Sequence, residues 1–469
     1  MSIRKIRRNE FIKIASIPLF NTFLPYNSIS KYLNKNDFDI YGGWKKKKFY
    51  KTGFFRTHFD NNRWWFVTPE GNAFISFGIN HYHEEWWAQN YNINYWLKKF
   101  NSKQFQDKQW NEGFRKFAFK DLKNLGINTI GMHTNSPSIT DIPYKSKVPY
   151  LREYKPIKID HYINPKPNAY TDIFSSSFEI YCDNYAKETA SDYKNDKMLL
   201  GYCMADCPII TDYDINFYSG TSWIRTLRNL GPDSAGKKAY VEMMRQKYNL
   251  ISKFNLVYQS NFKNWENLLN SRNWRKNIQP SNEEEKNDNH EFMLKCVERY
   301  YSVTKKSLFK YDSNHLFFGD KLNGNTDSLE KVINLVAKFV DVIFYQNFGE
   351  YTNQKKLLDK LVSDVNLPFL NGDAGFGVSY EMMPAPWGPN YKSQKERAAM
   401  LQKCCENLFS RPEFIGWHIC GIIDTWKTMP TKEKNQHQGL MTVKGKYYKE
   451  MELVVKNISK NLYKICSYI

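Results

Sequence analysis

Two aspartates stand where two apolar runs stop. "MLLGYCMAD" ends on Asp206 and "LPFLNGD" on Asp373, so each carboxylate is delivered at the end of a strand-like segment. Paired carboxyl groups that face a glycosidic bond can hydrolyse it: one gives a proton to the leaving oxygen, the other attacks or activates water. A strand-end aspartate also commonly caps the following helix or turn, so position alone does not make either one catalytic. Other polar side chains close apolar runs in the same way. They are Asn80, His81 and His83 around the end of "AFISFGIN", His133 in "INTIGMH", Cys207 beside Asp206, Asp320 in "HLFFGD", Gln346 in "VDVIFYQ" and Asp424 after "FIGWHIC".

Eight such runs can be counted: 73 to 80, 127 to 133, 148 to 154, 198 to 206, 315 to 320, 340 to 346, 367 to 373 and 414 to 420. Between most of them lie segments with apolar residues at helical spacing, among them 110 to 125, 239 to 254, 291 to 309, 328 to 339 and 394 to 409. Eight strands alternating with helices predict an α/β chain folded as a (β/α)8 TIM barrel. Residues 52 to 72, with aromatics broken by "DNN" and "PEG", predict a preceding β-hairpin. The expected organisation is a leader at 1 to 25, an N-terminal extension and hairpin at 26 to 72, and the barrel at 73 to 469. An insertion falls between strands four and five, where the polar stretch 270 to 290 reads as a surface loop. Function in this architecture gathers at the C-terminal ends of the strands. Strands four and seven lie on opposite sides of the mouth, which makes Asp206 and Asp373 the natural pair.

Composition narrows the partners. The 469 residues are 41% hydrophobic and 16% aromatic, a globular chain with aromatic surplus that suits stacking on sugar rings. A formal charge of +20, from 68 Lys and Arg against 48 Asp and Glu, suits a polyanion, yet Lys and Asn are abundant throughout, including "GGWKKKKFY". No RNP, zinc-finger or helix-turn-helix pattern is present, so nucleic acid is not expected. The eight cysteines form no CxxC and read as buried small hydrophobes. No run of 18 apolar residues exists, so no membrane span is expected. The N-terminus, "MSIRKIRRNEFIKIASIPLFNTFLPY", has a basic start and a modest apolar stretch, and resembles a bacterial export signal; a basic leader is the alternative.

The text "NRWWFVTPEGNAFISFGINHY" resembles the opening hairpin and first strand of the clan A glycoside hydrolases related to beta-agarases. "YDSNHLFFGDKL" and "VDVIFYQNFGEYTNQ" are similar to their fifth and sixth strands, and "FIGWHICGIIDTW" with "QHQGLMTVKGKYYKEM" to their last strand and closing segment. The similarity runs from about residue 50 to 465. It implies a retaining glycosidase with a glutamate acid after strand four, in an Asn-Glu pair, and a glutamate nucleophile after strand seven. The chain departs at both places: "GYCMADCP" has no Asn-Glu, and Asp373 stands at the nucleophile's place. Either Asp206 takes the acid position or it takes the Asn place and Cys207 the acid's. Glu381 is a reserve. The resemblance also implies substrate-binding positions at Asn80, His81, His133, Gln346, Asp424 and His437, with stacking faces at Trp387, Trp417 and Trp426.

A metal-dependent hydrolase on the same barrel would explain "HYH" and Asp424, but strand five has His315 at its wrong end, strand six ends in "YQN" and strand four supplies no Lys or His, so neither metal nor cofactor is expected. The reading is therefore an exported glycoside hydrolase acting on a polysaccharide or oligosaccharide, an algal or sulfated galactan, with Asp206 as acid and Asp373 as nucleophile or base. The alternative is a non-catalytic carbohydrate-binding barrel.

Overall fold

The aromatic stretch after residue 40 folds as four short strands: β1 (Trp44–Lys48), β2 (Arg56–Phe59), β3 (Trp64–Val67) and β4 (Asn72–Phe74), an antiparallel sheet in the order β1-β4-β3-β2. The turns fall where the sequence put them. Asn61 in "DNN" and Gly71 in "PEG" both take positive φ, which short polar residues and glycine tolerate. The computed structural model describes residues 37–134, 136–141, 146–161, 171–212, 214, 222–275, 280–378, 388–424 and 438–467; the leader at 1 to 25 lies outside them.

The apolar run at 73 to 80 is two strands rather than one. Its first part is β4, and after Ile75 the chain turns into the barrel as β5 (Ser76–Ile79). The barrel continues with β6 (Thr129–Ile130), β7 (Tyr150–Glu153), β8 (Leu199–Asp206), β9 (Leu316–Asn323), β10 (Ile343–Gln346) and β11 (Phe369–Ala374). After the small parallel pair β12 (Gly377–Val378) and β13 (Asn390–Tyr391) it ends with β14 (Phe414–Ile419). All eight barrel strands are parallel, and β14 pairs with β5 to close the cylinder. This is the (β/α)8 barrel with an N-terminal antiparallel sheet. The strands are buried along almost their whole length, as expected of a parallel sheet covered on both faces.

Helices follow the strands, chiefly Lys108–Leu125, Ser176–Ala190, Glu283–Tyr311, Ser328–Val336, Tyr351–Leu361, Gln394–Phe409 and Lys449–Cys466. Their ends obey local chemistry: Asp107 accepts from the Trp110 amide at one start, and Gly126 at φ +71 ends the same helix. Two expectations need correction. The stretch 239 to 254 is not one helix; Asn249 at φ +60 separates Ala235–Tyr248 from Ile251–Tyr258. The polar segment to 290 is not all loop either. Asn282 accepts from the Glu285 amide, three glutamates fill the first turn, and the 29-residue helix Glu283–Tyr311 starts there. Glu285 is wholly buried and paired through two hydrogen bonds with Arg275, so its charge marks an interior contact rather than a solvated face.

At the opposite end from the mouth, the buried Arg63 guanidinium donates to the carbonyls of Phe409, Phe414 and Cys466. One side chain thus ties the N-terminal sheet to the last strand and last helix. All eight cysteines are free and buried, and no helix among the described residues is long and apolar enough to cross a membrane.

Candidate active site

The mouth is built from residues that end their strands on a turn few side chains favour. His81 after β5, His133 after β6 and Cys207 after β8 all have positive φ, at 55°, 61° and 46°. Such non-glycine positions cost roughly 1–3 kcal/mol each and cluster at functional sites. The turns swing the chain aside, so the strand-end side chains point across the barrel opening.

Asp206 and Asp373 do converge, and a residue that sequence reasoning passed over stands between them. The Lys321 ammonium donates to Asp373 Oδ2 at 2.6 Å and lies 3.0 Å from Asp206 Oδ1, the latter an ion-pair contact without hydrogen-bond alignment. These two contacts laid end to end set an upper limit on the gap between the facing oxygens, which keeps it below the roughly 6.5–9.5 Å of inverting pairs. All three side chains are buried, Lys321 completely.

His133 Nε2 pairs with Asp206 Oδ2 at 2.9 Å. Its ring stacks on His81, 4.6 Å between centroids, and His81 Nε2 is 3.9 Å from Asp373 Oδ2. Behind Asp206, the chain after β7 supplies a second ring of charge. Asp160 accepts from the Asp206 amide at 2.7 Å, Lys155 bridges Glu153 and Asp160, and His161 Nδ1 is 3.2 Å from the Asp206 carbonyl. Glu153 also accepts from the His133 amide at 2.6 Å.

The charges follow from these neighbours. Burial pushes the Asp206 and Asp373 carboxyls up, but the Lys321 ammonium, aided by the adjacent histidines, outweighs it and holds both well below the usual carboxylate range. Lys321 is disfavoured by burial, yet the two carboxylates raise it above the ordinary lysine value. The Cys207 thiol is pushed well up by burial and by Asp206, so it is a buried thiol and a poor proton donor. Burial lowers His133. An acid role for Asp206 needs a protonated carboxyl, and its surroundings hold it ionised.

The other expected positions divide. Asn80 is fully buried beside the pair: Nδ2 donates to the Gly372 carbonyl at 2.5 Å, while Oδ1 has no hydrogen-bond partner among the described residues. Gly131 makes room for it, since a Cβ there would stand 2.0 Å from that oxygen. Gln346 is buried at the end of β10, its carbonyl accepting from Gly324. Trp417 is not a sugar platform. It is fully buried, and the next residue, His418, is the one that turns into the lumen to meet Ser76 at 2.8 Å, which leaves the indole in the layer toward Phe376. Asp424 accepts from the Gly439 amide and the Tyr448 hydroxyl and so anchors the closing segment. His83 caps the short helix Glu84–Trp87, and Asp320 turns away from the mouth to accept from the Ala205 amide. Trp387, Trp426, His437 and Glu381 lie outside the described residues.

Lys321, Glu153, Asp160 and His161 were missed. For Lys321 a signal existed: in "FFGDKLN" the residue after Asp320 must face the other way, and the pairing of β8 with β9 sets it opposite Asp206. The ligand atoms of His81, His133 and Asp373 lie within 4.8 Å of one another, as do those of His161, Asp206 and Cys207. Each set includes a carboxylate that Lys321 engages.

The barrel and its N-terminal sheet resemble those of beta-agarases. The particular likenesses agree with that class. The chain is 23% identical over 490 residues to beta-agarase B of Vibrio sp. (strain JT0107), an alignment covering 90% of this chain and 50% of that protein. It therefore spans about half the length of the curated relative it matches. Among solved structures, it superposes on an exo-beta-agarase with a TM-score of 0.77 at 16% identity, covering 92% of this chain and 68% of that one. A further agarase gives a TM-score of 0.75 at 17% identity with the same coverage. No family model matches the chain.

Proposed function

We propose that the chain is a glycoside hydrolase that cleaves a polysaccharide, with an agar-type or other algal galactan as the substrate class. The observation that carries this reading is the convergence of Asp206 and Asp373 around one ammonium, closer together than the roughly 6.5–9.5 Å of inverting pairs, in a barrel like those of solved agarases. Asp373 is the nucleophile or base: Lys321 engages Oδ2, and Oδ1 is buried with no hydrogen-bond partner among the described residues. Asp206 is an anion that orients His133, and it can act as the acid only when a bound substrate loosens its contact with Lys321. The net charge of +20 fits a sulfated galactan, and the basic, apolar N-terminus fits export.

A second reading, a carbohydrate-binding barrel without turnover, is favoured by the same lysine and by the absence of Asn-Glu in "GYCMADCP". The deciding experiment incubates the protein with agarose, carrageenan and other algal polysaccharides and measures reducing ends. Release that disappears in Asp373→Asn supports the hydrolase; binding without release from any polymer supports the binder.

A further inference from the structure

We infer that Lys321 is the positioning residue of this mouth: its ammonium fixes the spacing of Asp206 and Asp373 and keeps both as carboxylates, so neither holds the proton that glycosidic cleavage consumes. The inference uses the hydrolase reading for its rate readout only.

The geometry is unusual for a lysine. It leaves β9 completely buried and engages β8, the adjacent strand, and β11, two strands away, so the side chain reaches over the lumen rather than out of it. A buried ammonium persists only where anions and acceptors replace its water, and the two aspartates supply them. The other charged and titratable groups packed around the pair do not duplicate it. From β5 and β6 come His81 and His133, the latter lowered by burial. From the β7 end come Glu153 and Asp160, which occupy Lys155 between them, and His161 against Asp206. Cys203 and Cys207 on the β8 side and Cys420 after β14 are thiols that burial keeps protonated. His418, inside the barrel from β14, is pushed down to about 3 by burial and is neutral. The strand between, β10, ends in the uncharged Gln346. Among the described residues, Lys321 is thus the fixed cation that touches both carboxylates.

Removing that charge leaves two buried carboxyl groups a few ångströms apart, and like charges so placed cannot both stay ionised; one takes up a proton. The lysine therefore decides between a bridged pair of anions and a proton-sharing dyad.

The test is a carbon-13 titration of aspartate-labelled full-length protein, with the two carboxyl resonances assigned through Asp206→Asn and Asp373→Asn. In the parent, neither resonance titrates at or above the ordinary aspartate value of about 3.9. In Lys321→Met, one moves up by at least about one pH unit, and Lys321→Arg stays with the parent. This readout needs no turnover, so it stands or falls apart from the hydrolase reading. If the parent does hydrolyse a polymer, the acid limb of its kcat/KM profile shifts upward in Lys321→Met and not in Lys321→Arg. A parent resonance titrating at or above about 3.9, or a Lys321→Met titration that overlays the parent, overturns the inference. Should Lys321→Met fail to fold, as circular dichroism would show, the parent and Lys321→Arg titrations decide it alone.

Discussion

Asp206 and Lys321 are paired residue to residue on adjacent barrel strands, with the carboxylate 3.0 Å from the ammonium that also binds Asp373 across the mouth. The site therefore carries its own counter-ion, and its chemistry depends on how that counter-ion shares itself between the two acids.

Replacing Asp373 with asparagine keeps the shape and removes the negative charge. Turnover of any polysaccharide cleaved by the parent should fall about a thousandfold or more, while affinity measured by calorimetry changes by less than about tenfold. Parent-level hydrolysis in this variant would remove Asp373 from the mechanism.

The choice between Asp206 and Cys207 is open to a direct comparison. Cys207 is a buried thiol with a raised pKa, so Cys207→Ser should keep activity within a fewfold, whereas Asp206→Asn should lose most of it. A dead but folded Cys207→Ser protein would assign the acid place to the thiol. The native protein should also show no reactive thiol to Ellman's reagent before denaturation, since all eight cysteines are buried.

Acid should loosen the mouth through Glu153. Burial raises this carboxyl, but Lys155 and His133 outweigh it and bring it down to about 2. A depressed carboxyl contributes stability above its unfolded value, near 4.3, and that contribution is lost as pH falls toward about 2. Melting curves taken from pH 6 down to pH 2 should show Glu153→Gln less stable than the parent at pH 6 and closing the gap by pH 2; a constant difference would contradict the assignment.

Asp320 should act with the opposite sign. Burial raises it to about 7, beyond what its hydrogen bonds from Tyr301, Ala205 and Tyr300 offset. The native state therefore binds a proton that the unfolded chain gives up near pH 4, and stability should fall as pH rises from about 4 to about 7, then level off. Asp320→Asn should flatten that slope in melts taken at pH 5 and pH 8; an unchanged slope would place the proton elsewhere.

The barrel was legible because parallel strands buried on both faces read as continuous apolar runs, and eight of them could be counted. The same property hid the details of the mouth. With no polar alternation along "FIGWHIC", the sequence does not mark which face each residue takes, so Trp417 looked available; "FFGDKLN" does alternate at Asp320 and Lys321, but the run reads as stopping at Asp320, so Lys321 looked like the residue after a strand end. Asp206, Asp373, His81 and His133, which the structure brings together, could be named because strand ends are where side chains leave the wall. The helix start at Asn282 carried a readable cap in "SNEEE", masked by the polarity of the segment around it.

The seam of the barrel joins β5 to β14, with Ser76 hydrogen-bonded to His418 across 342 residues, and Arg63 is clasped to Cys466 across 403. Neither bond can form while the chain is still being synthesised through its middle. The cylinder cannot close until its last strand has been made, and unpaired strand edges exposed before closure are where misassembly begins.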